Sequence, residues 1–234
     1  GKDHVMYDRV FKLSGGVFLD SLNTMRSCAC SDKDWEVLIN SSTNKEKLDE
    51  EVLFLLAEGG ALDVLKDHEI DLKAKNKYGE TILMRACIGG DVETVKYLES
   101  IGGNLKEENY AGMSCLYLAC NNGKLKVVEY LIRKGLDVNM AVKGGDTPLY
   151  TSSFLGHFEI VKCLVENGAD VNKARSGGIT PLYIACHNRF LEVVKYLFEN
   201  GADVNKAEVI FVFFLLYCVV GRFNFFFVFL FSFI

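Results

Sequence analysis

The chain has 234 residues, a formal net charge of -5 at pH 7 and hydrophobic side chains at 50% of its positions. This length is enough for one elongated domain with extensions. The acidic balance and the lack of a basic run exclude a nucleic-acid surface built on phosphate contacts, so we expect no nucleic-acid partner.

Residues 1–45 contain helical fragments but no repeated pattern, and they predict an N-terminal helical extension. Ser31 opens a stretch that resembles a capping box ahead of apolar residues at 35–39. Residues 41–44 have the composition of a linker. No secretory signal is apparent, and the first residue is Gly1 rather than Met. We therefore expect a fragment of a longer protein or a processed chain.

Residues 46–78 predict a degenerate repeat that caps one end of the domain. An apolar helix face at 52–56 ends at Gly59-Gly60, and a short second helix is expected at 62–65. A terminal unit needs one polar face, and a degenerate first repeat commonly supplies it.

Residues 79–207 contain the strongest pattern of the chain, a block that recurs in register. Each block opens 33 residues after the one before, at Gly79, Gly112, Gly145 and Gly178. The predicted repeats are 79–111, 112–144, 145–177 and 178–207. A period of this length indicates stacked units that bury their apolar faces only against their neighbours.

Within one block, the residues predict two helices and a loop. A Thr followed by Pro, as in Thr147-Pro148, is a helix start, because the hydroxyl accepts from a free backbone N–H and Pro needs no donor there. Apolar residues at helical spacing follow in a second helix, which ends at a glycine suited to a left-handed backbone, such as Gly168. The polar segment that follows, such as Ala169–Asn172, predicts a turn or hairpin.

These residues resemble the ankyrin repeat. The matching elements are Gly-x-Thr-Pro-Leu, the Gly156-His157 pair and Gly-Ala-x-Val-Asn, and they agree best at 145–174 and 178–207. The resemblance implies an all-α solenoid of stacked helix-turn-helix units joined by short hairpin loops. One departure is systematic, since the family's histidine after Thr-Pro-Leu is replaced by Met84, Tyr117, Tyr150 and Tyr183.

The chain has eight cysteines, and their positions favour free thiols over disulfides. Cys87, Cys120 and Cys186 share one column of the repeat, in which Ser153 stands in the third block. This column holds small residues at the contact between helices, where a thiol behaves as a small hydrophobe. Cys163 replaces a tyrosine of another column, and we expect it in the core as well. Reduced thiols in a helical core are typical of a reducing compartment, so we expect a cytoplasmic protein.

We expect no catalytic residue, metal site or cofactor, and thus no enzyme. Cys28 and Cys30 form a close pair, but they have no second pair and no histidine at metal spacing. Cys186 and His187 are adjacent, and neighbouring helical residues point about 100° apart. We therefore expect Cys186 in the core and His187 on the surface.

The resemblance also implies where a partner would bind. In the family, contacts come from hairpin tips and from the exposed end of the first helix of each repeat. The corresponding hairpin-tip residues are Tyr78, Glu80, Tyr110, Met113, Lys143, Asp146 and Ile179. The corresponding helix-end residues are Asn121, Asn122, Phe154, Leu155, His187 and Asn188. Phe154 and Leu155 are apolar at an exposed column, which predicts either a contact hot spot or packing on neighbouring helix ends.

The repeat register is lost after Ala207, and residues 208–234 form a hydrophobic tail for which three interpretations stay open. As a membrane segment, residues 209–234 are long enough to cross a hydrocarbon core of about 30 Å. Arg222 would then lie near mid-span at a cost of about 2.5–3.5 kcal/mol. As a degenerate fifth repeat, the tail would expose a large apolar patch. As the product of a shifted reading frame or an unspliced stretch, it would not be selected protein at all.

The sequence thus predicts a protein–protein interaction scaffold or adaptor. It would bind an unidentified partner protein through the concave surface of the repeats, and we expect the repeat region to be a monomer. One alternative is a membrane-tethered adaptor anchored by 209–234, which would be membrane-associated rather than freely cytoplasmic. The other is a regulatory fragment of a larger multidomain protein.

Overall fold

The structure, a computed structural model, describes residues 50–205. Helices dominate this part of the chain, which contains one isolated antiparallel bridge, between Glu108 and Ser114, and no strand. The helices are α1 (Glu50–Gly59), α2 (Leu62–Lys66), α3 (Ile82–Gly89), α4 (Val92–Ser100), α5 (Cys115–Asn121), α6 (Leu125–Arg133), α7 (Pro148–Leu155), α8 (Phe158–Glu166), α9 (Pro181–His187) and α10 (Leu191–Glu199). They belong to two compact units that divide between Leu136 and Asp137.

The first unit stacks three helix pairs. The first helices of the pairs, α1, α3 and α5, pack in a row, and the second helices, α2, α4 and α6, pack in a parallel row. Leu56, Leu83 and Leu116 are buried along the row of first helices. Ala86 and Ala119 are fully buried there too, and their small side chains let successive helices approach closely.

The second unit repeats this arrangement with two pairs. Helix α7 packs on α8 and α9, while α10 packs on α8 and α9. Leu149 and Leu182 are buried in the first helices, and Leu164 and Leu197 in the second helices. Stacked helix-turn-helix units in both parts confirm the predicted all-α class.

Each first helix from α3 onward begins at a hydroxyl residue, as predicted. The hydroxyl oxygen accepts a hydrogen bond from the backbone N–H three residues later, at 3.4 Å for Thr81, 3.2 Å for Ser114, 3.0 Å for Thr147 and 3.2 Å for Thr180. Pro148 and Pro181 occupy the first helical position, where no backbone donor is needed. These caps set the start of each repeat's first helix.

Asparagine side chains join neighbouring loops of the second unit. Asn139 donates from Nδ2 to the Gly168 carbonyl at 3.0 Å and accepts from the Asp170 N–H at 2.8 Å. Asn172 makes the equivalent bonds to the Gly201 carbonyl at 3.0 Å and the Asp203 N–H at 2.7 Å. These amides hold successive loops in register.

Cys163 departs from the expected burial. It lies on the flank of α8 and is only half-buried, because the buried face of this helix is formed by Ile160, Val161 and Leu164. Its placement in the core was therefore wrong. Cys87, Cys120 and Cys186 are buried, as predicted.

Two predicted segments lie outside the described residues: the N-terminal extension at 1–45 and the hydrophobic tail at 208–234. The part of the chain that is described, 50–205, contains no helix with the length and apolar character needed to cross a membrane.

Candidate functional site

Two tyrosines project from adjacent hairpin tips of the first unit. Tyr78 is 57% exposed and Tyr110 is 65% exposed, and the Tyr110 N–H donates to the Tyr78 carbonyl at 3.2 Å. The tips are shaped by Asn76 and Asn109, whose Oδ1 atoms each accept two backbone N–H bonds from the turn. We name Tyr78 and Tyr110 the tyrosine tip surface. It has the exposure that the sequence predicts for a contact site.

Glu80, which was predicted at an exposed tip, is buried at 7% exposure. Its Oε2 accepts from Asn76 Nδ2 at 2.9 Å and from Arg85 Nη1 at 3.1 Å. Arg85 also pairs with the buried carboxylate of Glu58 on α1. Because these partners draw its carboxylate inward, Glu80 joins the hairpin to α3, and its predicted exposure is wrong.

The other candidates of the first unit lie nearer the surface. Met113 is half-buried, while Asn121 and Asn122 are exposed at the end of α5. Asn122 Nδ2 donates to the Leu118 carbonyl of the same helix at 2.8 Å. Asn122 therefore also closes the helix end.

In the second unit, the ends of α7 and α9 lie against each other. Asn188 Nδ2 donates to the Phe154 carbonyl at 2.7 Å, and the Phe190 ring lies over Gly156. Phe154 is nevertheless 46% exposed, whereas Leu155 is half-buried. Helix-end packing thus fixes the backbone at Phe154 and leaves its ring partly open to solvent.

An aromatic stack continues this exposed end. Tyr183 and His187 lie one turn apart on α9, with ring centroids 6.3 Å apart and planes at 9°. His187 is exposed, and Tyr183 and Asn188 are half-buried. We name the set Phe154, Tyr183, His187 and Asn188, with the adjoining Arg189, the helix-end surface.

The hairpin candidates of the second unit form a polar cluster. Asp146 lies 2.9 Å from Arg175 Nε, and the Arg175 guanidinium lies 5.3 Å from the centroid of the Tyr150 ring. Arg175 Nη1 donates to the Tyr150 hydroxyl at 3.3 Å. Tyrosine thus supplies a hydroxyl to a link between repeats where the family has histidine. Lys143 is exposed and Ile179 half-buried at the neighbouring tips.

Arg189 is the residue of this surface that the sequence reasoning missed. Its φ of 63° is the only positive φ of a non-glycine residue in the part of the chain that the structure describes. The same column of the repeat holds Gly90, Gly123 and Gly156, at φ of 98°, 69° and 74°. A left-handed backbone costs about 1–2 kcal/mol for a residue with a Cβ. The glycine column was visible in the sequence and would have identified the exception.

The predicted separation of Cys186 and His187 is confirmed. Cys186 is 1% exposed, and burial raises the pKa of its thiol to about 12, so the thiolate is not formed near neutral pH. Cys87 is also fully buried, and both a hydrogen bond with Cys115 and burial raise the pKa of its thiol well above the usual value. Among residues 50–205, no group of three or more His, Cys, Asp or Glu side chains is arranged to hold a metal ion.

Comparison with known proteins gives one family. The profile described as ankyrin repeats (three copies) matches residues 29–142, 100–175 and 116–208, which together span most of the chain. No individual curated protein matches the sequence.

Proposed function

We propose that this chain, which belongs to the ankyrin-repeat family, is a scaffold or adaptor. It would bind a partner protein and carry out no chemistry of its own. Ankyrin repeats are generally protein–protein interaction modules. The finer proposal is that the partner contacts the hairpin tips and the ends of the first helices, the positions that would supply the concave surface expected of ankyrin repeats. The observation that carries it is Phe154, a large apolar side chain that is 46% exposed on an ordered helix end.

Exposed aromatic residues on a rigid backbone have the properties of binding hot spots. The backbones of Tyr78 and Tyr110 are joined by a hydrogen bond, and the Phe154 carbonyl accepts one from the Asn188 side chain of the next repeat, while all three aromatic side chains are exposed. Aromatic side chains bury a large area on contact and have few rotatable bonds, so they lose little conformational entropy on binding. In contrast, the exposed residues of the second helices are mainly charged, as are Lys195 and Glu199 on α10.

Affinity capture with the whole chain, followed by hydrogen exchange on the recovered complex, tests this proposal. We expect slower exchange at the hairpin tips and at residues 154–156 and 187–189 when the partner is bound. Protection confined to the second helices α4, α6, α8 and α10 would contradict the proposed surface. A Lys195→Glu variant, altered on the opposite row of helices, serves as the matched control and should capture the same partner.

Attachment to a membrane through residues 209–234 is a separate proposal, and it rests on the composition of that tail alone. We expect a genuine membrane segment to keep the protein in the membrane fraction after carbonate extraction. Release into the supernatant would contradict it. The proposal of a larger parent protein is tested by the length of the native polypeptide on a denaturing gel.

A further inference from the structure

Carboxylates are segregated within the second unit. Acidic residues of 137–205 lie in the loops and on the second helices: Asp137, Asp146, Asp170, Asp203, Glu159, Glu166, Glu192 and Glu199. The segments 147–158 and 180–191, which contain α7, α9 and the turns that follow them, have no acidic residue. Their ionisable groups apart from tyrosine and cysteine are His157, His187 and Arg189. The two segments that contain the helix-end surface therefore carry no carboxylate, in a unit whose residues 137–205 hold eight.

Arg189 is the permanent positive charge of this face. It is exposed, and the salt bridges of the described residues do not include it. The nearest carboxylate in sequence, Glu192, lies on α10 and forms no ion pair with Arg189 in the described part of the chain. The guanidinium is thus available to an external group.

The turn that carries Arg189 is held beside Phe154. The preceding residue, Asn188, donates to the Phe154 carbonyl, and the following residue, Phe190, covers Gly156. The two contacts fix both ends of the turn on the end of α7. The backbone that carries the exposed Arg189 is therefore held next to the backbone that carries the exposed Phe154 ring.

From this juxtaposition we propose that the helix-end surface binds an acidic segment of the partner protein, which packs an apolar side chain on Phe154 and places a carboxylate on Arg189. This inference rests on the proposed function and adds the chemistry of the partner. Arginine suits the role because its planar guanidinium pairs with a carboxylate through two parallel hydrogen bonds. The segments 147–158 and 180–191 add no carboxylate of their own that would repel a negative segment. The ring of Phe154 supplies the contact area that a solvent-exposed ion pair alone lacks.

Selection of displayed random peptides on the intact 234-residue chain tests the proposal with a defined probe. We expect enriched peptides to combine several Asp or Glu residues with at least one large apolar residue. Enrichment of basic peptides would overturn the proposal. So would enrichment of uncharged Phe- and Leu-rich peptides, which resemble the chain's own residues 209–231.

The best selected peptide is then synthesised and measured against three variants. Arg189→Glu should weaken its binding about tenfold or more, and a peptide with its acidic residues replaced by lysine should recover affinity for that variant. Phe154→Ser should weaken both peptides. Arg189→Gly should weaken the acidic peptide while raising the melting temperature, a combination that a purely structural role for Arg189 would not produce. Unchanged binding to Arg189→Glu would overturn the inference.

Failure of this inference and failure of the proposed function give different results. Peptides or partners that lose binding to Tyr110→Asp but not to Arg189→Glu would overturn the inference and leave the proposed function intact. If neither the selection nor affinity capture yields a binder, both are contradicted.

Discussion

Gly89 at the end of α3 lies directly on the backbone of Glu58 in α1. A Cβ atom on Gly89 would overlap the Glu58 carbonyl oxygen and would lie 2.7 Å from its carbonyl carbon and 2.9 Å from its Cα. Backbone atoms cannot rotate out of the way as a side chain can. The closest approach between these two first helices therefore depends on the missing side chain.

We predict that Gly89→Ala destabilises the protein by about 1–3 kcal/mol, although the same change inside an exposed helix usually stabilises it. The extra methyl group would push α1 away from α3. Chemical denaturation measures the loss. Gly144→Ala is the matched control, since an added Cβ there meets nothing within 4 Å and its φ is not in the left-handed region. An equal, small effect of the two changes would contradict the tight packing at Gly89.

Arg189→Gly should stabilise the protein by about 1 kcal/mol, because glycine adopts the left-handed backbone at this position without the penalty that arginine meets. Arg189→Ala is the control, since alanine removes the charge but keeps the Cβ. The melting temperature should therefore rise for the glycine variant alone. A similar rise for both would show that repulsion by the arginine charge, and not its backbone, limits stability.

The buried hydroxyl of Ser153 has no hydrogen-bond partner among the described residues, and it occupies the column of Cys87, Cys120 and Cys186. We predict that Ser153→Cys and Ser153→Ala stabilise the protein by about 1 kcal/mol, since an unpaired buried hydroxyl is costly. Ser152→Ala is the contrast, because the Ser152 hydroxyl donates to the Pro148 carbonyl at 2.8 Å. Loss of stability in the Ser153 variants would indicate a bond that this structure does not contain.

We predict that Glu99, which joins the second helices α4 and α6, makes the stability of the fold sensitive to acid. Burial acts to raise the pKa of its carboxyl, but hydrogen bonds from Lys134, at 2.8 Å, and from Tyr130 outweigh it and hold that pKa below its usual value. A lowered folded-state pKa means that the carboxylate stabilises the fold above its unfolded pKa of about 4.3, and that this stability is lost as the pH falls through the folded value.

Glu99→Gln should consequently lower the unfolding free energy at neutral pH, and the difference from the original protein should shrink as acid is added. Denaturation curves from pH 7 to about pH 3 measure this convergence. A difference between the two proteins that stays constant across the whole range would contradict the assignment of the acid dependence to Glu99.

The fold could be predicted from the sequence wherever the signals that start and end a helix lie within a single repeat. Thr147 with Pro148 starts a helix wherever the pair occurs, and Gly168 permits the left-handed turn that ends one, so local chemistry and the period agree. The burial of Glu80 could not be predicted in this way. Its guanidinium partner, Arg85, is bound at the same time by Glu58, which comes from the preceding helix pair, and only packing brings that residue close.

Part of the candidate site could also be predicted from signals that lie within one repeat. Column position correctly predicted that Tyr78, Tyr110 and Phe154 are exposed, because the repeat geometry decides which columns face solvent. Arg189 stands in a column that otherwise holds glycine, and its position near Phe154 depends on the contacts of Asn188 and Phe190 with the end of α7. Such neighbour contacts cannot be read from one repeat alone.

The most direct test of the central claim compares Phe154→Asp with the original chain in two measurements on the same samples: the dissociation constant for the captured partner and the thermal melt. We expect the variant to bind at least about tenfold more weakly with a nearly unchanged melting temperature, because the ring is partly exposed in the free protein. Unchanged affinity, or a strongly lowered melting temperature, would show that Phe154 is not a partner contact and would contradict the proposed surface.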